Sequence, residues 1–199
     1  MKMVVGIDEV GRGPVAGPVT VCAFVFLEQK LAKKKNLHNS KDSKKLTEKK
    51  RNEWFVQIKQ WQKEGKCDFV VTSVSAQMID RIGIVPSIQK ALNMSLKKLV
   101  PRAYLLEPHI LLDGGLRAPK EYAHQKTIIK GDEKESVIAM ASIVAKVTRD
   151  GYMRKMATKY PVYGFEKHVG YGTKAHYEAI KKCDLSSLHR KTFLKNLVK

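Results

Sequence analysis

An apolar run ending in two adjacent acids, MVVGIDEV at residues 3–10, is followed by the Gly/Pro-rich GRGPVAGP and then by a second β-branched and aromatic run, VTVCAFVFL. Such runs, bounded by that punctuation, predict two paired strands joined by a loop. A strand that buries its apolar residues holds Asp8 and Glu9 at its end with little freedom. Successive strand residues face opposite sides of a sheet, so both carboxylates serve one site only where the strand ends or bulges. Gly11 makes such an ending available. An isolated Asp-Glu pair at a strand end is usually just solvated, so its meaning depends on the rest of the chain.

Downstream, the segment from Lys30 to Arg51 is polar and basic, and Thr47 stands where it could cap a helix carrying Trp54, Ile58 and Trp61 at helical spacing. CDFVVTSVS reads as a third strand, and Ile88, Leu92, Leu96 and Leu99 recur with the period of an amphipathic helix. HILLDGG and KTIIKGD are short apolar runs that each lead into an acid, Asp113 and Asp132. VIAMASIVAKVTRDGYMRKMATKY is a long helix rich in small residues, suited to burial. Strands leading, then strands alternating with helices, predict an α/β fold with a mixed sheet flanked by helices. Ligands of open α/β sheets bind beyond the strand ends, so Asp8 and Asp113 can converge despite their separation in sequence.

Lysine and arginine number 38 against 19 aspartates and glutamates, a formal charge of +19, which favours a polyanionic partner such as nucleic acid. Four acids among apolar neighbours in so basic a chain need a reason to be there, and hard divalent cations with oxygen ligands supply one. The six histidines show no HExxH or comparable spacing, which argues against zinc chemistry. Cys22, Cys67 and Cys183 lie far apart, outside any CxxC pattern, and read as free thiols. No apolar run approaches the roughly 18 residues a membrane span needs, and the start lacks a signal peptide's apolar stretch. The expectation is a soluble, cytoplasmic protein. GRGPVAGP is not a P-loop, since it lacks the GK[ST] ending, but its glycines allow a backbone to approach a ligand closely.

Ile7-Asp8-Glu9-Val10-Gly11-Arg12-Gly13-Pro14 with Gly17-Pro18 resembles the opening signature of ribonuclease HII. Asp42-Ser43-Lys44-Lys45-Leu46, Asp113-Gly114, Gly131-Asp132, the stretch from Ala141 to Asp150 (ASIVAKVTRD), and Gly170-Tyr171-Gly172-Thr173 follow in that family's order. Gly114-Gly115 and Glu133-Lys134-Glu135 depart from the usual pattern without replacing a matched acid.

The resemblance implies a ribonuclease H-like catalytic domain over residues 1–158 and a small C-terminal helical, substrate-binding extension over 159–199. It implies that Asp8, Glu9, Asp113 and Asp132 hold Mg²⁺ or Mn²⁺. It implies that the Gly11-Arg12-Gly13 backbone contacts the 2′-hydroxyl at the cut, and that Tyr171 stacks beneath the next deoxyribose. The implied activity is hydrolysis of the RNA strand of RNA–DNA hybrids, and cutting 5′ to single ribonucleotides in DNA, with 3′-hydroxyl and 5′-phosphate ends. Lys44, Lys45, Lys146, Arg149 and Arg190 are the basic residues expected to meet phosphates. Asp150 is expected to be structural, within a helix. A binding module without catalysis would also explain the charge, though not the strand-end acids, and the related ribonuclease HIII usually carries an extra N-terminal domain. The C-terminal KTFLKNLVK shows no sliding-clamp motif, so the expectation is a monomer.

Overall fold

The computed structural model describes residues 3–32, 46–103 and 107–195. The first two apolar runs form β1 (Val4–Val10) and β2 (Val19–Phe26), and with β3 (Cys67–Val74) they make an antiparallel meander. β4 (His109–Asp113) pairs parallel to β1, and β5 (Gln125–Ile128) parallel to β4. The sheet order is therefore β3-β2-β1-β4-β5, the expected mixed sheet. Parallel neighbours need a crossover, which α3 (Ala76–Ile82) and α4 (Ile84–Arg102) supply between β3 and β4. A short α1 (Gln29–Ala32) follows β2, and α2 (Glu48–Lys63) begins at Thr47, whose hydroxyl accepts a hydrogen bond from the Lys50 N–H.

Both faces of the sheet are covered, and strand alternation decides which residue goes where. Val5 and Ile7 of β1 join Val21 and Val25 of β2 against Leu92, Leu96 and Leu99 of α4. Each such side chain contributes roughly 1.5–3 kcal/mol by leaving water. On the other face, Cys22, Phe24 and Phe26 pack against α6 (Ser136–Lys159), which is buried at every residue from Val137 to Ala145. Small residues allow that close packing. A Cβ on Gly6 would lie 2.4 Å from the Val137 carbonyl, so β1 and α6 can approach this closely only with glycine at position 6.

A short α5 (Gly131–Lys134) precedes α6, and α7 (Phe165–His168) and α8 (Lys174–Cys183) follow it, with 3-10 turns at Pro161–Tyr163 and Lys191–Phe193. Tyr163, Phe165, Ile180, Leu188 and Leu194 form a separate apolar cluster with Met153 and Ala157 of α6 and with Val15 and Ala16 of the β1–β2 loop. The C-terminal segment is thus joined to the loop after the Asp-Glu pair. Among the described residues, no helix is long and apolar enough to cross a membrane.

Candidate active site

Asp8 lies on the β1 face that packs under α6, two residues beyond Gly6, and is 3% exposed. β1 and β4 pair in register up to Ile7↔Leu112, so Asp8 and Asp113 are the next residues on two adjacent parallel strands, and their side chains leave the same face. The consequence is electrostatic. The Asp8 carboxyl is held well above its usual range, first by burial, then by the charge of Glu9, with Asp113 adding in the same direction. Hydrogen bonds from the Ser142 side chain and the Glu9 N–H, the latter at 2.8 Å, oppose that rise.

No bulge brings Glu9 to this face. β1 stays paired with β2 through Glu9↔Val21 and Val10↔Thr20, so alternation starts the Glu9 side chain on the opposite side. The strand ends one residue later, and Glu9 still lines the same pocket as Asp8 while pairing with Arg12 at 3.6 Å. Asp132 needs a correction in detail. β5 stops at Ile128, and Asp132 sits in α5 instead of at a strand end, 2% exposed. Asp113 ties that turn to the sheet, its Oδ1 accepting the Gly131 N–H at 2.7 Å. A Cβ on Gly131 would lie 2.6 Å from Ile138 Cδ1, the movable end of that side chain, so the turn before Asp132 is closely packed.

Among the described residues, no three His, Cys, Asp or Glu side chains are drawn together tightly enough to cage a metal. That arrangement still fits a hard cation of the Mg²⁺ type, which keeps several waters and takes one or two carboxylates plus substrate phosphates. Buried carboxylates that repel one another are suited to such an ion.

Over Asp8 opens a pocket of about 490 Å³ lined by Glu9, Gly11–Gly13, Arg51, Ser142, Lys146 and Tyr171. Tyr171 is 42% exposed, and the Lys146 ammonium lies 5.8 Å from its ring centroid. Lys146 is held by Asp150 at 3.0 Å, which makes Asp150 the structural, salt-bridging residue the sequence suggested.

Arg149 and Arg190 are not surface phosphate ligands. Both are buried, at 1% and 0% exposure, and their guanidinium donors are directed to backbone carbonyls. Arg149 donates to Pro18, Val169 and Ala16, and Arg190 to Gly17 at 3.0 Å, Arg12 at 3.0 Å and Gly11 at 2.6 Å. The planar fork with its five donors suits that task better than an ammonium would. Burial pushes Arg190 down to about 9, with the like charge of Arg149 adding, so it remains protonated at neutral pH. All peptides here are trans, so the N–H of the next residue points opposite each carbonyl. With the Gly11 and Arg12 carbonyls turned back to Arg190, the Arg12 and Gly13 N–H groups point away from it. Lys44 and Lys45 lie outside the described residues.

Sequence reasoning missed Ser142, Arg51 and a histidine pair behind Tyr171. Ser142 was visible as the polar residue in an apolar helical stretch, and Arg51 as the last basic residue before the Trp-bearing helix face. Cys22 pairs with Asp8 across β1 and β2, and burial followed by the charge of Asp8 raises its thiol, while Cys67 is pushed to about 12. Cys22, Cys67 and Cys183 are free.

The family model for Ribonuclease HII matches residues 5–196. The chain belongs to the ribonuclease HII family. A ribonuclease HII from Caldicellulosiruptor bescii is 41% identical over 197 residues, covering 99% of this chain and 89% of that protein. The crystal structure of ribonuclease H2 from Pyrococcus horikoshii is 26% identical, with a TM-score of 0.73 over 98% of this chain and 96% of that one. Bst ribonuclease HIII, solved in complex with Mn²⁺, is 18% identical and matches in fold, with a TM-score of 0.76 over 99% of this chain and 69% of that chain. As a member of the ribonuclease HII family, the chain is an endoribonuclease of the ribonuclease H type.

Proposed function

We propose that this ribonuclease hydrolyses the RNA strand of RNA–DNA hybrids and cuts 5′ to single ribonucleotides in duplex DNA, leaving 3′-hydroxyl and 5′-phosphate ends. The carrying observation is Asp8, buried beside Asp113 and sharing with Glu9 a pocket rimmed by Gly11–Gly13 and Tyr171. In this reading Asp8, Glu9, Asp113 and Asp132 hold Mg²⁺ or Mn²⁺, the metal seen with the ribonuclease HIII relative in fold. When bound, such ions supply an activated water and stabilise charge on the leaving oxygen.

The chain's own groups do the rest. The Arg12 and Gly13 N–H groups, turned outward by Arg190, meet the 2′-hydroxyl, a donor and acceptor that DNA lacks. The exposed Tyr171 ring stacks beneath the following deoxyribose. Lys146, oriented by Asp150, meets a phosphate, as do Lys44 and Lys45. The C-terminal segment 159–199 serves substrate binding by presenting Tyr171 to the pocket, while residues 1–158 carry the acids. Such an enzyme works as a cytoplasmic monomer, which a sizing column tests.

The test is a duplex bearing one ribonucleotide, incubated with Mn²⁺ and either wild-type or Asp8→Asn protein. A loss of roughly a hundredfold to a thousandfold in rate is expected, on the scale of removing one preorganised catalytic group. Equal cleavage by both would remove Asp8 from the metal site.

A further inference from the structure

Behind Tyr171 the C-terminal cluster contains two fully enclosed histidines, His176 of α8 and His189, at 0% and 3% exposure. Their Nε2 atoms lie 3.1 Å apart. The outer nitrogen of each is also engaged: His176 Nδ1 lies 2.8 Å from the Tyr171 carbonyl oxygen, and the Ser186 N–H donates to His189 Nδ1 at 2.9 Å.

The proton positions follow from these partners. A main-chain N–H can only donate, so His189 Nδ1 is the acceptor and its proton sits on Nε2. A carbonyl can only accept, so His176 carries its proton on Nδ1 and offers a bare Nε2 to His189. The Ser186 hydroxyl, 2.9 Å from the same His189 Nδ1, then donates to it as well, so each of the four contacts has one donor and one acceptor, with both rings neutral. A second proton on either ring would set two N–H groups head to head. Burial, foremost, pushes both histidines down to about 4, which keeps them neutral at physiological pH. The titratable groups around them are His168, stacked on His176 at 4.3 Å, Tyr163, edge-on to both rings, and Arg190, next in the chain.

The segment that carries His189 also reaches the loop. Ala16 and His189 form an antiparallel bridge, the Gly17 N–H donates to the Leu188 carbonyl, and Arg190 holds the Gly11 and Arg12 carbonyls. Gly170 closes the circuit, its carbonyl accepting from the Val15 and Ala16 N–H groups.

We propose that His176 and His189 are positioning residues for ribonucleotide selectivity: a proton-ordered chain, Ser186 N–H to His189 to His176 to the Tyr171 carbonyl, fixes Tyr171 relative to the Gly11–Gly13 loop. The proposal rests on the reading of Tyr171 and the loop as the parts that sense the ribonucleotide. It adds that their mutual placement is set by the histidine pair and the Ser186–Arg190 segment, which touch neither substrate nor metal.

The test uses the full chain and measures the ratio of kcat/KM for a single-ribonucleotide duplex to that for an RNA–DNA hybrid. His189→Asn keeps an acceptor for the Ser186 N–H but has no donor that reaches His176. His189→Gln restores a donor near the Nε2 position. The expected result is a ratio about tenfold lower for His189→Asn, the scale of one lost hydrogen bond, and within about threefold of wild type for His189→Gln. Tyr171→Ala is run beside them. If Tyr171→Ala lowers the ratio and His189→Asn does not, the histidine chain is overturned while the Tyr171 reading stands. If Tyr171→Ala leaves the ratio unchanged, both fall. Should His189→Asn fail to fold, ¹⁵N NMR of the wild-type histidines decides. Protons on His176 Nδ1 and His189 Nε2 support the chain, and any other pair of tautomers overturns it.

Discussion

Replacing Arg190 by lysine isolates what its guanidinium does. The side chain is fully buried and donates to three carbonyls, those of Gly17, Arg12 and Gly11. An ammonium on a shorter, unforked stem keeps one of these partners at most, leaving two carbonyls without their charged donor. Charge-assisted hydrogen bonds contribute about 1.5 kcal/mol each at the lower end, so Arg190→Lys should cost about 3 kcal/mol. In a chain of 199 residues that corresponds to a fall of roughly 6–12 °C in Tm. Urea unfolding should show the loss as a lower midpoint with an unchanged slope. Cleavage at a single ribonucleotide should fall more than cleavage of a hybrid, because the loop N–H groups lose their orientation. A stability loss under about 1 kcal/mol for Arg190→Lys, together with a salt dependence of binding reduced by about 0.9 in log–log slope for Arg190→Ala but not for Arg190→Lys, would refute this reasoning. Arg190 would then be reaching a phosphate.

In chelator, Asp8→Asn should melt higher than wild type, because it removes a buried carboxylate raised by burial and by the charges of Glu9 and Asp113, and adding Mn²⁺ should stabilise wild type alone; differential scanning calorimetry reads both. Gly170→Ala places a Cβ 2.3 Å from the Ala16 carbonyl oxygen at a φ of +90°, so it should destabilise by roughly 1–3 kcal/mol in chemical denaturation. Because the folded His176 and His189 titrate near 4, below the ordinary 6.5, the unfolded chain binds more protons between those values and stability falls as pH drops through that window. In an Asp8→Asn background, which removes the opposing trend of a raised carboxylate, the fall should be on the order of 2–3 kcal/mol for each histidine that titrates between pH 6.5 and 4, read by urea midpoints.

Much of this was legible in the chain because local signals and burial agreed. The apolar, β-branched runs at residues 3–10 and 19–27, the cap at Thr47 and the small residues of the long helix each point to one structure. The convergence of Asp8 and Asp113 followed from strand ends in an α/β sheet, and the register step after Ile7↔Leu112 supplies its geometry. Arg149 and Arg190 were misread because composition ranks arginine as a surface residue. Nothing local reveals that the carbonyls of residues 11–18 turn inward and need donors far along the sequence. The same non-local pairing hid the histidines, since a proton-ordered chain depends on which nitrogens meet across the fold. Asp132 was placed at a strand end because TIIKG reads as one apolar run, whereas Lys130 adopts a left-handed φ of 54° and starts a helical turn.

The central claim is that a buried carboxylate pair, an outward-facing loop and Tyr171 together cut beside a ribonucleotide. The most direct measurement maps the product of an otherwise all-DNA duplex bearing one ribonucleotide, with Mn²⁺ and with chelator. A single cut 5′ to the ribonucleotide is expected, with 3′-hydroxyl and 5′-phosphate ends, and none in chelator or in the all-DNA control. A cut at any other position, or one that persists in chelator, would contradict it.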